Sequence, residues 1–255
     1  MPTSTRSGQA SRHAIDAYLD VTLDVRSFED YGPNGLQVEG RAEVRRLVSG
    51  VTASLALIDA AISAGADTLL VHHGLFWRGQ DGRMTGWLGE RVRRLMRHDI
   101  NLFAYHLPLD AHPEWGNNAQ LGLRLGLAAD ARFGKQGLGF SAPAQTTLAA
   151  LVQRVQSVLD RPATVIAGDG RALRRVAWCT GGAQGWFEMA IRAGADAYVT
   201  GEISEPQAHL ARETGVAFLA CGHHATERFG APALGAHLAE RFGVEHRFID
   251  VPNPA

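Results

Sequence analysis

The segment AISAGADTLLVHHG (Ala61–Gly74) aligns without a gap on AIRAGADAYVTGEI (Ala190–Ile203). Each reads as a helix end, a glycine turn and an apolar strand. The following unit in each half also ends alike, with His-x-x-x-acid after an apolar strand: His106 to Asp110, and His223 to Glu227. Short helix–turn–strand words recur by chance in α/β proteins, but two consecutive units matching in order favour a diverged internal repeat. The fold expected is α/β: two interlocked, pseudo-repeated lobes with mainly parallel sheets covered by helices. A pseudo-twofold pairing would bring equivalent strand ends together, where ligands of open α/β sheets gather. The division expected is a disordered N-terminal extension at 1–12, a first lobe at 13–128 and a second at 129–255, both lobes sharing one site.

The alternation behind that reading is plain along the chain. Strands are expected at about Leu47–Val51, Thr68–Val71, Leu102–Tyr105, Val176–Thr180, Ala197–Thr200, Ala217–Ala220 and His246–Ile249. Helices are expected at about Ala14–Leu23, Ser54–Ala64, Arg91–Arg97, Asn118–Leu125, Thr147–Leu159, Trp186–Arg192, Pro206–Glu213 and Ala231–Phe242. Tyr31–Gly35 is a turn cluster, and the Gly-rich stretch 126–144 is the least regular.

Composition narrows the function classes. The 255 residues can bury a large core, and 45% hydrophobic with 20% charged residues is ordinary for a soluble globular protein. A net charge of −1 argues against a chain-wide electrostatic hold on nucleic acid or membrane and leaves room for a local basic patch. No apolar run approaches the roughly 20 residues that span a bilayer. The polar start MPTSTRSGQASRH carries no apolar core of a secretory signal. Two cysteines, Cys179 and Cys221, suit a reducing cytoplasm and provide no disulfide framework.

The chemistry is concentrated in three segments. His72-His73 close an apolar strand, where the bend at Gly74 lets both imidazoles turn toward a cluster, one per metal ion. A lone histidine would more simply be a core residue satisfied by backbone. In His106-Leu107-Pro108-Leu109-Asp110, Pro108 favours a loop that projects Asp110 and His106 into a cleft; a helix cap is an equal reading for Asp110. In Gly222–Glu227, His223 and Glu227 share a helical face and suit one ion or a bridge between two, whereas Thr226 could simply cap a helix with Glu227 in its first turn. His112 and Glu114 lie further along their loop and are set aside. Gly181–Gly185 reads as a tight turn first and an anion cradle second. Arg91, Arg93, Arg94 and Arg97 read as a solvated helix face, and Cys221 as a small buried residue before a soft ligand.

The segments TLLVHHGLFWRG, YGPNGLQVEG, NLFAYHLPLDAHPEWGNNAQLG, VAWCTGGAQGWF, ADAYVTGEISE, CGHHATER and FIDVPNPA closely resemble the bacterial GTP cyclohydrolase I type 2 homologue family, the Nif-three-like dinuclear metal proteins. The likeness covers essentially everything after the N-terminal tail. It implies metal ligands at His72, His73, Asp110, His223 and Glu227, with Glu227 bridging two ions, His73 and Asp110 on one, and His72 and His223 on the other. His106 and His224 become groups that either support the ligands from behind or face the substrate, and one or the other is the general acid–base. The resemblance also implies two divalent ions per subunit, a cytoplasmic toroidal homohexamer, and a nucleotide substrate; histidine and carboxylate ligands suit zinc, iron, manganese or nickel. Its nominal reaction converts GTP to a dihydroneopterin triphosphate and formate. Two other readings stay open: phosphoester or amide hydrolysis by the same metal pair, and a metal-binding scaffold whose ring engages a partner in DNA repair or regulation. The departures are a longer polar N-terminus and Cys221 where a small residue is expected.

Overall fold

Thr68–Val71 are buried on both faces, as a continuous apolar run requires of a central strand in a parallel sheet, and they lie at the middle of the first of two main sheets. The structure, a computed structural model, describes residues 10–255. The first stretch carries β1 (Ala10–Ser11), α1 (Arg12–Thr22), β2 (Gly35–Val38), β3 (Glu43–Val44), β4 (Arg46–Thr52), α2 (Leu55–Ser63), β5 (Thr68–His73), α3 (Gly86–Arg97), β6 (Asn101–Ala104) and α4 (Leu107–Ala111). The second carries α5 (Asn117–Arg124), β7 (Ala131–Phe133), β8 (Gly139–Thr146), α6 (Leu148–Leu159), β9 (Thr164–Ile166), β10 (Leu173–Trp178), α7 (Phe187–Arg192), β11 (Ala197–Thr200), α8 (Glu205–Thr214), β12 (Ala217–Ala220) and α9 (His223–Glu227). The chain ends with α10 (Gly230–Phe242) and β13 (Glu245–Phe248).

Two compact units result. The first runs to Leu109 and takes back Gly230–Pro252; the second holds Asp110–Phe229 and Asn253–Ala255. These bounds differ from a division at 128/129. The cause is β13, which pairs in parallel with β4 from Glu245 opposite Arg46. Ahead of it, α10 presents Gly235 where any Cβ would come within 2.3 Å of His246 Nε2, so helix and strand fit together only through that glycine. Of the extension expected at 1–12, residues 1–9 lie outside the described residues. Ala10–Ser11 pair antiparallel with Glu43–Val44, and Arg12 already opens α1.

The first sheet has the order β13-β4-β5-β6-β2, parallel except for the edge strand β2. The second has the order β7-β8-β10-β11-β12-β9, with a parallel centre β10-β11-β12 and antiparallel flanks. Two flanking strands, β7 and β8, arise from the Gly-rich stretch that sequence marks as irregular. Gly134 and Gly137, at φ of +77° and +66°, turn the chain between them. Pro143 lies in β8 where the register with β10 shifts, a place that can spare a ladder N–H.

Each sheet packs its own core. Leu57, Ile58, Leu69, Val71, Leu95 and Leu102 belong to the first; Leu121, Val155, Val176, Trp178, Val199 and Leu219 to the second. α3 buries Leu88, Val92 and Leu95 on one face, which turns its arginines outward as expected, with Arg94 paired to Asp59 and Glu90. Ser54 accepts from the Leu57 N–H at 3.2 Å to start α2, and Thr147 does the same for the Ala150 N–H at 3.2 Å to start α6.

The internal repeat is visible in the hydrogen bonds. Leu47 faces Thr68 and Thr68 faces Asn101 in the first sheet; Val176 faces Ala197 and Ala197 faces Ala217 in the second. The aligned aspartates do the same work. Asp67 Oδ2 accepts from the Arg45 and Arg46 N–H groups at 2.8 and 3.0 Å. Asp196 Oδ2 accepts from the Arg174 and Arg175 N–H groups at 2.8 and 3.1 Å.

Candidate metal centre

In the first unit β5 ends in His72-His73, with ring centroids 4.6 Å apart. His72 is fully buried, and its Nδ1 lies 3.0 Å from the Tyr105 carbonyl oxygen. A carbonyl only accepts, so Nδ1 carries the hydrogen and Nε2 the lone pair. His73 Nδ1 lies 3.1 Å from Thr52 Oγ1, a hydroxyl able to accept from it or donate to it; when it accepts, Nε2 carries the lone pair. His106 follows β6. Its backbone N–H donates to Asn34 Oδ1 at 2.7 Å, and its Nδ1 donates to Asp30 Oδ1 at 2.6 Å. Ligand atoms of His72, His73 and His106 lie within 4.8 Å of one another.

Asp30 holds this arrangement. Its side chain is 3% exposed, and its Oδ2 also accepts from the Leu107 N–H and the Asn34 amide, both at 2.9 Å. Burial alone would raise its pKa; the hydrogen bond and charge of His106, with Asn34 and Leu107, pull it down to about 2. Sequence reasoning passes over Asp30. Its one signal is its place immediately before the Tyr31–Gly35 turn, whose Asn34 completes the clasp.

Asp110 opens the second unit. Pro108 is expected to favour a loop; instead Leu107–Ala111 form one helical turn, and Pro108 sits in its first turn, where a missing N–H costs nothing. Asp110 is 6% exposed, and its Oδ1 accepts from Asn117 Nδ2 at 2.9 Å and Thr180 Oγ1 at 3.3 Å. In α9, His223 Nδ1 donates to Glu202 Oε1 at 2.6 Å, and its Nε2 lies 3.1 Å from Glu227 Oε2. Burial works against the charged ring, but Glu227 and then Glu202 overcome it and raise its pKa to about 9.

Thr226 is not a cap. It lies inside α9, donates to the His223 carbonyl at 2.9 Å and accepts from the Gly181 N–H at 3.0 Å. Gly181, at φ +69°, therefore clasps α9; a Cβ there would come within 2.0 Å of Glu227 Oε1. Glu202 also escapes sequence reasoning, although the repeat alignment places it opposite His73.

His224 is buried in α9, and its backbone N–H donates to the Ala255 carbonyl at 3.2 Å. Cys221 is buried, which pushes its thiol up to about 12 despite Arg161. His112 stacks on Trp115 and its Nδ1 accepts from the N–H groups of Glu114 and Trp115 at 3.2 and 3.1 Å, a local turn. Of the five residues expected as ligands, His72 and His73 thus stand at the strand end of the first unit. Asp110, His223 and Glu227 stand in the second, with His223 and Glu227 in contact.

No helix among the described residues is long and apolar enough to cross a membrane. Residues 10–254 match the model of the Duf34/NIF3 (NGG1p interacting factor 3) family. The chain is 55% identical over 240 residues to a Neisseria meningitidis serogroup B protein named GTP cyclohydrolase 1 type 2 homolog, covering 93% of this chain and 96% of that one. It is 52% identical over 242 residues to the protein of the same name from Pseudomonas aeruginosa, covering 92% and 95%. Among solved structures it resembles the protein ybgI, described as of unknown function, with a TM-score of 0.93, 42% identity and coverage of 96% and 100%. A protein from Thermus thermophilus matches with a TM-score of 0.90 and 35% identity, again over 96% and 100%. The chain is a member of the Duf34/NIF3 family.

Proposed function

We propose that this chain holds two divalent metal ions through His72, His73, Asp110, His223 and Glu227 and is a metal-dependent hydrolase. One observation carries the reading. His72, His73 and His223 each have Nδ1 engaged by an oxygen, from Tyr105, Thr52 and Glu202 respectively. That is the outer support which orients an imidazole to present Nε2 to a metal. The donor set fits as well. His223 keeps its proton up to about pH 9 between two carboxylates, and a cation beside Nε2 and Glu227 would take that proton's place. Histidine and carboxylate ligands suit zinc, iron, manganese or nickel.

Two such ions would act as Lewis acids, activating water and stabilising negative charge on the reacting group. The chain's own residues do the rest. Glu227, set by Gly181 and 3% exposed, would hold both ions. His106, oriented by Asp30, takes and returns the proton through Nε2, and His224 is the second candidate for that role. The relatives' name makes GTP the first substrate to try, with ring opening and formate release as the nominal reaction. A toroidal homohexamer in the cytoplasm belongs to the same proposal.

The test is formate release from GTP by protein reconstituted with each of the four metals in turn. Wild-type chain should release formate with at least one metal, and Glu227→Gln should abolish it with the circular dichroism spectrum unchanged. Equal release by the variant would overturn the assignment.

A further inference from the structure

We infer that a cleft between Tyr31 and Trp77, with Arg78 at its mouth, binds the base and phosphate of a mononucleotide. The inference deepens the hydrolase reading and rests on it in taking His72, His73 and His106 as the reacting edge.

The cleft belongs wholly to the first unit. It is a cavity of about 350 Å³ lined by Asp30, Tyr31, Gly32, Pro33, Phe76, Trp77 and Arg78, a size within the range of small-molecule sites. A second cavity, of about 10 Å³, shares Gly32, Pro33, Phe76 and Trp77 with it and is also lined by His72 and His106. The aromatic wall is thus continuous with the histidines. Trp77 meets the His106 ring edge-on, with centroids 5.1 Å apart at 88°, and Tyr31 meets it at 5.9 Å and 64°. Whatever ring lies against these side chains lies beside the group proposed to move the proton.

Tyr31 stands 63% exposed and so offers ring surface to a ligand in the cleft. Arg78 makes no ion pair among the described residues. Its Nη2 donates to the Asp30 carbonyl at 2.8 Å, while the Asp30 carboxylate is taken up by His106, Asn34 and Leu107. The guanidinium is held at the cavity outside any ion pair among the described residues, beside an Asp30 carboxylate that other donors already take up, which leaves its remaining N–H groups to receive phosphate. The site is also built in advance. Gly32 lies so close to the Phe76 carbonyl that a Cβ would come within 2.3 Å, and the Arg78 N–H donates to the Tyr31 carbonyl at 2.6 Å. These contacts lock the two lining loops together. Aromatic faces stack on any base, and the fixed cation adds the anion.

Calorimetric titration of the full chain with guanosine 5′-monophosphate, guanosine and ribose 5-phosphate tests this. The monophosphate should bind about tenfold or more tighter than either fragment. Trp77→Ala should weaken it about tenfold, and Arg78→Gln should remove its advantage over guanosine while guanosine itself binds as before. Arg78 lies at the surface, so that variant serves where Trp77→Ala does not fold. Wild-type affinity in Arg78→Gln, or ribose 5-phosphate binding as tightly as the monophosphate, would overturn the subsite. Metal analysis of the same preparations separates the two readings. Two metals without nucleotide binding overturns the subsite alone; binding that depends on Arg78 in a chain unable to take up metal keeps the subsite and overturns the hydrolase.

Discussion

The two units share a frame and differ at its end. β4-β5-β6 and β10-β11-β12 keep one register, and Asp67 and Asp196 each clamp two backbone N–H groups at the same place. One residue past that frame the chemistry parts. The first unit has His73, steadied by a threonine hydroxyl; the second has Glu202 at the aligned position, and this carboxylate steadies a histidine from α9. The first unit thus offers imidazoles held by mostly neutral oxygens, and the second offers carboxylates with one imidazole held between two of them. Bonds to backbone constrain both copies alike, because any sequence must satisfy them. Side chains beyond the strand end carry no such duty and can diverge toward function.

The largest effect is expected from Gly181→Ala, which forces a left-handed backbone onto alanine and drives a Cβ into Glu227; it should cost about 3 kcal/mol or more and abolish metal uptake. Thr52→Ala, at the corresponding place in the first unit, removes one hydrogen bond and should cost about 1 kcal/mol. Thermal melts with metal analysis of both variants would show equal losses if the two positions were equivalent in duty. Next, Asp67→Ala and Asp196→Ala each strip two N–H partners and should each cost about 2–3 kcal/mol in denaturant unfolding. A clear inequality would mean that the repeated clamp supports only one of the units.

A smaller effect sharpens the difference in charge. Glu202→Gln should lower metal affinity about 10- to 100-fold in a competition titration, and Thr52→Ala by less. An unchanged affinity in Glu202→Gln would remove Glu202 from the account. The smallest effect is acid-limb stability of the first unit. Asp30 is held at about 2, below its usual 3.8, so the unfolded chain binds more protons between these values. Its contribution is complete above about pH 4 and is lost as pH falls through about 2. Asp30→Asn should flatten that part of the stability–pH curve, and an identical curve would contradict the assignment.

The parallel strands were legible because each is an apolar run bounded by glycine or a helix cap: β5, β11 and β12 begin where periodicity places them. β7 and β8 were not, because glycines and a proline break up their apolar pattern; they pair with each other across the Gly134–Gly137 turn, and only β8 reaches a distant partner, β10. The return of β13 to the first sheet was not legible either. Its burial alternates, as at an edge, and nothing local says which edge it joins. At the candidate site, the histidine pairs and spaced acids drew notice by residue type. Asp30 and Glu202 did not, since a single carboxylate becomes informative only when folding brings an imidazole to it.

Metal content per chain reports whether these side chains hold two ions. Protein purified without chelator or added metal, its fold checked by circular dichroism, would be analysed for elements before and after reconstitution. About two equivalents of a transition metal, falling in Glu227→Gln, is the result expected. A stably folded chain that takes up none even after reconstitution would contradict the account and make the oriented histidines structural.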